Sequence, residues 1–254
     1  MRLNAVKQAL KEGKTVLGTS YGQLRDVEIA RILKAAGFDY AYLDAEHGGY
    51  DLETVQDICR VANLCGLTVF TRVADMQYDL IARVLDCGSD GVIFPRVESP
   101  ELLDRAVSWC KFPPVGIRGF GLGTMQADYE PVTIPQLIEH RNENGMIILQ
   151  IETEKAVDGR EELLSVPGLD VVMVGPVDLS ISLGVPGNFD SPKFIDAIDK
   201  IRDTCVAKGI VPGIQCRGVA LSKFCRDRGF RFLGTSNEWA LLLEKAKETV
   251  AALR

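Results

Sequence analysis

The chain has 254 residues, of which 46% are hydrophobic, 25% charged and 7% aromatic, a composition that excludes disordered, collagenous and disulfide-stapled classes. Its 29 basic and 35 acidic side chains leave a formal charge of −6, which argues against nucleic acid or an anionic membrane as partner, since either requires a basic face. No apolar run approaches the roughly 18 residues of a membrane span, and residues 1–7 lack the apolar core of a signal peptide, so a cytoplasmic protein is expected.

Short apolar or β-branched runs alternate with longer segments of helical period from one end of the chain to the other. A strand is expected at 15–19, then a helix at 26–36 with Val27, Ile29, Ala30 and Leu33 on one face. Strands at 40–44, 68–72 and 91–95 follow, separated by helices at 52–64 and 78–87, with a further helix at 101–110. Residues 111–144 form the one long irregular stretch, holding Pro113, Pro114, Gly119, Gly121 and Gly123 and a short helix at 134–141. Strands then recur at 146–152, 171–175, 210–216 and 231–235, with helices at 194–208 and 219–228 and a last helix from 238 to 253. Gly37, Gly66, Gly88, Gly209 and Gly229 stand where left-handed helix ends are wanted. Eight β-then-α units in this length match a closed (β/α)8 TIM barrel of the α/β class better than an open doubly wound sheet. No linker or charge block divides the chain, so residues 1–254 are expected to form one domain.

The cysteines, Cys59, Cys65, Cys87, Cys110, Cys205, Cys216 and Cys225, are odd in number and include no Cys-x-x-Cys pair. They read as reduced core residues rather than a disulfide frame or a zinc site.

In such a barrel the chemistry lies at the C-terminal ends of the strands. Glu152 and Asp178 close adjacent strands, and two crowded carboxylates need a cation to stay ionised, which fits Mg²⁺ or Mn²⁺; either alone reads more readily as a helix cap than as a ligand. His47 follows Asp44 by three residues, and a carboxylate within reach would orient the imidazole for base work. The other histidine, His140, reads as a solvated helix-face residue. Arg72 supplies a permanent cation for a keto oxygen or carboxylate, or a salt bridge to Glu46 or Glu152. The Gly175-Pro176 pair before Asp178 is expected to leave the Gly175 N–H free for a ligand. None of the eight strand runs contains a lysine, and Lys155 is expected on the outside of a turn, which tilts carbonyl chemistry from imine to metal.

The segments around Asp44-Ala45-Glu46-His47-Gly48, Thr71-Arg72-Val73, Leu85-Asp86-Cys87-Gly88, Gly116-Ile117-Arg118-Gly119, Gln150-Ile151-Glu152-Thr153 and Gly175-Pro176-Val177-Asp178-Leu179-Ser180 together resemble the HpcH/HpaI aldolase family over nearly the whole chain. The resemblance implies a class II, metal-dependent pyruvate aldolase, commonly a hexamer with its last helix swapped between subunits. It implies Glu152 and Asp178 as ligands of a divalent ion (Mg²⁺ or Mn²⁺, with Co²⁺ a third candidate) and Arg72 as the group stabilising an enolate oxygen. His47 with Asp44 would be the base dyad, and Gln150, Gly175 and Pro176 would belong to the pyruvate pocket. The partners implied are a small 2-keto acid, an aldehyde and further copies of the chain. Gly49, where the family often has proline, and Thr124-Met125-Gln126-Ala127 depart from the pattern at positions expected to flank the aldehyde half. The Glu-His-Gly-Gly form also resembles a branch that condenses oxaloacetate with acetyl-CoA in siderophore biosynthesis. Decarboxylation of oxaloacetate at the same site, and a ligand-binding barrel without catalysis, are further alternatives.

Overall fold

The computed structural model describes residues 1–254 and contains a closed barrel of eight parallel strands, each paired with the next and the last with the first. They are β1 (Val16–Tyr21), β2 (Tyr40–Asp44), β3 (Thr68–Arg72), β4 (Gly91–Phe94), β5 (Met146–Ile151), β6 (Val171–Val174), β7 (Val211–Cys216) and β8 (Phe232–Asn237). Helices cover the outside, and the expected α/β TIM barrel is the fold observed.

Parallel strands are covered on both faces, so each reads as a nearly unbroken apolar run, and the period of two sorts its side chains. Tyr40, Tyr42, Phe70, Ile148, Met173 and Phe232 point inward and form one cluster. Ala41, Leu43 and Val69 point outward against Val55, Ile58 and Ala62 of the helix Leu52–Cys65. Gly18 admits the Tyr40 ring, since a Cβ there would lie 2.2 Å from it; Tyr40 in turn stacks on Phe232 with ring centroids 4.1 Å apart. The helix Leu52–Cys65 begins where the Asp51 side chain accepts from the Thr54 N–H at 2.8 Å and ends at Gly66, with φ 76°. The other four glycines expected to end helices also have positive φ.

Several features differ from expectation. A helix at Ala5–Lys11, too short to show a periodic pattern, sends Val6 and Leu10 into the barrel's interior cluster. The irregular stretch contains a 3-10 turn, Thr124–Ala127, and a longer helix, Ile134–Asn144; it leads from the helix Pro100–Cys110 into the start of β5 and so belongs to the N-terminal side of the sheet. His140 is half-buried rather than solvated, its Nε2 lying 3.0 Å from the Arg2 carbonyl, and burial lowers its pKa. The last helix, Glu238–Leu253, buries only its first residue and leaves Trp239, Leu242, Leu243, Val250 and Leu253 exposed. No helix is long and apolar enough to cross a membrane.

Candidate active site

Strand parity decides which side chains reach the C-terminal mouth. Asp44 lies two residues beyond inward Tyr42, Arg72 two beyond Phe70, Gln150 two beyond Ile148, and Gly175 two beyond Met173. Asp44, His47, Arg72, Gln150, Gly175, Pro176 and Asp178 consequently line one cavity of about 420 Å³. Glu152, two residues beyond Gln150, is only 3% exposed and does not itself line the cavity.

Arg72 is gripped from two sides. Its Nε and Nη2 donate to the two oxygens of Asp44 at 3.0 and 2.6 Å, and its Nη1 lies 3.1 Å from Glu46 Oε2. Burial by itself would lower the guanidinium pKa, but the hydrogen bonds and charges of Asp44, with Tyr42 and Glu46, push it upward, so the cation is permanent. Burial likewise opposes ionisation of Asp44, yet Arg72 and the His47 N–H hold its pKa below the ordinary value. For Glu46 burial wins over Arg72, and its carboxyl is shifted up.

The expected Asp44–His47 dyad takes a different form. Asp44 Oδ1 accepts from the backbone N–H groups of Glu46 and His47, both at 3.1 Å, so it shapes the loop rather than orienting the ring. The imidazole is 66% exposed at the mouth, with Nε2 3.7 Å from Glu46 Oε2. Asp44 is already spent on Arg72, which is the physical reason it does not meet the imidazole.

Glu152 Oε1 accepts from the Arg96 N–H at 2.8 Å and Oε2 accepts from Gln150 Nε2. Arg96 turns that N–H inward from a left-handed backbone, φ 55°, an unfavourable conformation of the kind found at functional sites. Burial raises the Glu152 pKa against the Gln150 hydrogen bond, and the charges of Glu46 and Asp178 push the same way. A Cβ on Gly175 would stand 2.7 Å from Glu152 Oε2, so the glycine keeps space beside that oxygen, and Gln150 Oε1 is buried without a partner. Crowded like charge, the space left by Gly175 and the unpartnered Gln150 oxygen are compatible with a cation, which Glu152 and Asp178 could hold.

Gly175 itself corrects an expectation: its N–H donates to the Ile151 carbonyl at 3.0 Å and is not free. Its use is steric. Asp178 sits exposed in the first turn of the helix Pro176–Ser182, and no side-chain bond caps that helix. Lys155 is exposed as expected and pairs with Glu98 at 3.1 Å. Residues 124–127 do not line this cavity; Met125 and Gln126 line another, with Arg60, Asp86 and Arg141, because they belong to the opposite end of the strands.

Sequence reasoning missed Ser20, Gln215, Arg217, Ser236, Asn237 and Trp239, which form the β1–β7–β8 side of the same cavity. Inward parity carried past the last apolar residue of each strand would have found Ser20, Gln215 and Ser236. Glu238 also went unnoticed: buried at the start of the last helix, its Oε1 accepts from the N–H groups of Gly22, Gln23 and Leu24 at 3.0, 2.6 and 2.9 Å.

This geometry agrees with what the chain is similar to. A hydroxypyruvate/pyruvate aldolase of Roseovarius nubinhibens is 30% identical over 251 residues, covering 99% of this chain and 97% of that protein. A 4-hydroxy-2-oxo-heptane-1,7-dioate aldolase of Salmonella dublin is 31% identical over 98% of this chain and 94% of its own length. The crystal structure of an HpcH/HpaI aldolase from Desulfitobacterium hafniense superposes with a TM-score of 0.92 at 32% identity, covering 97% of this chain and 95% of that one. The citrate synthase SbnG, at 24% identity and a TM-score of 0.85 over 98% of this chain and 97% of its own, shares the fold. The family model for HpcH/HpaI aldolase/citrate lyase matches residues 21–240, which include Asp44, His47, Arg72, Gln150, Glu152, Gly175 and Asp178. The chain therefore belongs to the HpcH/HpaI aldolase/citrate lyase family and is a carbon–carbon lyase of the aldolase kind.

Proposed function

We propose that the cavity binds a 2-keto acid and that the chain cleaves or forms a 4-hydroxy-2-oxo acid, yielding pyruvate and an aldehyde. The observation that carries this reading is Arg72, a buried and permanently charged guanidinium facing one cavity together with His47, Gln150 and Asp178.

Glu152 and Asp178 would hold a divalent ion, Mg²⁺ or Mn²⁺ with Co²⁺ a third candidate, since both offer hard oxygen donors. When bound, such an ion supplies Lewis-acid polarisation of the 2-keto group. Gln150 fixes the Glu152 carboxylate and places its own buried Oε1 beside it. Arg72 donates to the keto oxygen and stabilises negative charge gathering there, with Asp44 and Glu46 holding the guanidinium in place. His47 takes the proton from the 4-hydroxyl as the C–C bond breaks, which releases the aldehyde and leaves the enolate of pyruvate; return of that proton to the enolate carbon completes pyruvate and restores neutral His47. Loss of CO2 from oxaloacetate would generate the same pyruvate enolate, so decarboxylation is expected as a side activity. The Glu-His-Gly-Gly form at Glu46–Gly49 keeps condensation of oxaloacetate with acetyl-CoA as the alternative reading.

The nearly bare last helix supports a homo-oligomer, a hexamer or a dimer of swapped helices, in which that helix packs on a second copy. Seven unpaired cysteines suit a cytoplasmic enzyme, with residues 1–254 as one domain.

The reading is tested with a panel of 4-hydroxy-2-oxo acids, oxaloacetate, and oxaloacetate plus acetyl-CoA, each with and without chelator, on the wild type and His47→Ala. Cleavage that chelation abolishes and that falls by about 10²–10⁴ in His47→Ala, with pyruvate inhibition retained, is the expected result. Chelator-resistant citrate formation, or equal loss of cleavage and pyruvate binding in His47→Ala, refutes it.

A further inference from the structure

Glu238 lies outside the cavity, yet it is tied to the loop that carries His47. One oxygen of its buried carboxylate accepts three successive backbone N–H groups, those of Gly22, Gln23 and Leu24, immediately after β1. Such a convergence holds a loop by its backbone, and it is the carboxylate's whole use, since the second oxygen is buried without a partner.

That loop in turn holds the one after β2. Arg25 Nη2 donates to the Gly49 carbonyl at 2.7 Å, and the Tyr50 hydroxyl donates to the Leu24 carbonyl at 2.9 Å. The two loops touch without side chains between them, since a Cβ on Gly48 would come within 2.6 Å of the Gly22 carbonyl oxygen. His47 directly precedes these anchored residues, and its exposed imidazole has no hydrogen bond of its own to fix it. Its position is set by its backbone, and its backbone by Asp44 on one side and by the Gly22–Arg25 loop on the other.

We infer that Glu238 is a positioning residue for His47, acting through the backbone of residues 22–25 and 48–50. The inference rests on the proposed role of His47 and goes beyond it, because it makes the base of the last helix a determinant of turnover. Glu238 opens a helix whose next residue, Trp239, lines the substrate cavity, so the seating of that helix and the reach of His47 are mechanically joined.

Hydrogen exchange read by mass spectrometry, together with steady-state kinetics, tests this on the full-length protein. In Glu238→Ala, exchange should quicken in both segments 20–26 and 45–51. The kcat for retro-aldol cleavage should fall about tenfold or more while KM for the keto acid stays within about threefold, because misplacing a catalytic group by a fraction of an ångström costs turnover rather than binding. Glu238→Gln keeps an acceptor oxygen and should recover part of the loss; should the alanine variant fail to fold, the glutamine variant is read by the same two measurements. In a His47→Ala background, Glu238→Ala should cost no more than about a further twofold. Faster exchange confined to 20–26, an unchanged kcat, or full multiplication of the two losses overturns the inference. An active His47→Ala enzyme instead overturns the base assignment, and the exchange at 45–51 still decides whether Glu238 positions that loop.

Discussion

Gly175→Ala separates the site from the fold. The backbone there has φ −92° and ψ 88°, so alanine is not excluded by conformation. The new methyl would stand 2.7 Å from Glu152 Oε2, 3.0 Å from Glu152 Cβ and 3.2 Å from Gln150 Nε2. Relief requires the carboxylate and the amide to give way by about 0.3–0.5 Å, comparable with the roughly 0.5 Å tolerance of a catalytic constellation. Overpacking costs about 1–3 kcal/mol, and loss of glycine freedom in the unfolded chain returns about 0.4–1 kcal/mol, leaving a net destabilisation of at most about 2.6 kcal/mol. For a chain of this size that lowers Tm by no more than about 10 °C. The effect on the site is larger: displaced ligands and their hydrogen-bonded support typically cost about 10–100-fold in metal affinity or activity. Mn²⁺ titration by calorimetry, steady-state cleavage and a thermal melt measure the three quantities on one preparation. Full activity with undiminished Mn²⁺ affinity would refute the argument that Gly175 preserves space for the Glu152 carboxylate, and so would a loss of activity matched by global unfolding.

Arg72→Lys replaces a planar fork by one ammonium that cannot serve Asp44 and Glu46 together, and kcat is expected to fall about 10²-fold or more in steady-state assays. In Glu152→Gln the pH dependence of stability carries the information. The raised Glu152 pKa means that the folded chain holds this proton more tightly than the unfolded chain. Its contribution to stability is thus present below the unfolded carboxylate pKa and lost as pH rises through the folded value. In chelator, the glutamine variant should melt above the wild type at neutral pH, with the gap closing as pH falls into the carboxylate range; a gap independent of pH contradicts the burial argument. Placing aspartate at both Leu242 and Leu243, on the exposed last helix, should reduce the mass seen by light scattering without loss of helical signal, whereas an unchanged mass removes that helix from the subunit contact.

How much of this was legible beforehand follows from the range of the interactions involved. The strand runs, the helices between them and the glycines that end them are local matters of period and backbone conformation, and the barrel followed from counting them. Position at the strand ends likewise made Asp44, Arg72, Glu152 and Gly175 visible as candidates before any contact was known, and the family resemblance added Gln150. Partner choice was not visible, because it depends on which groups compete in three dimensions. Asp44 turned out to belong to Arg72 and to the His47 backbone rather than to the imidazole, and the Gly175 N–H to Ile151. Glu238 meets Gly22 from 216 residues away, a distance over which no spacing rule operates. Local propensity and periodicity therefore determined the architecture and the β2–β6 side of the mouth, while the β1–β7–β8 side went unread. Only closure of the barrel, which brings β8 beside β1 and the last helix against the first loop, decided which donor each buried oxygen would receive.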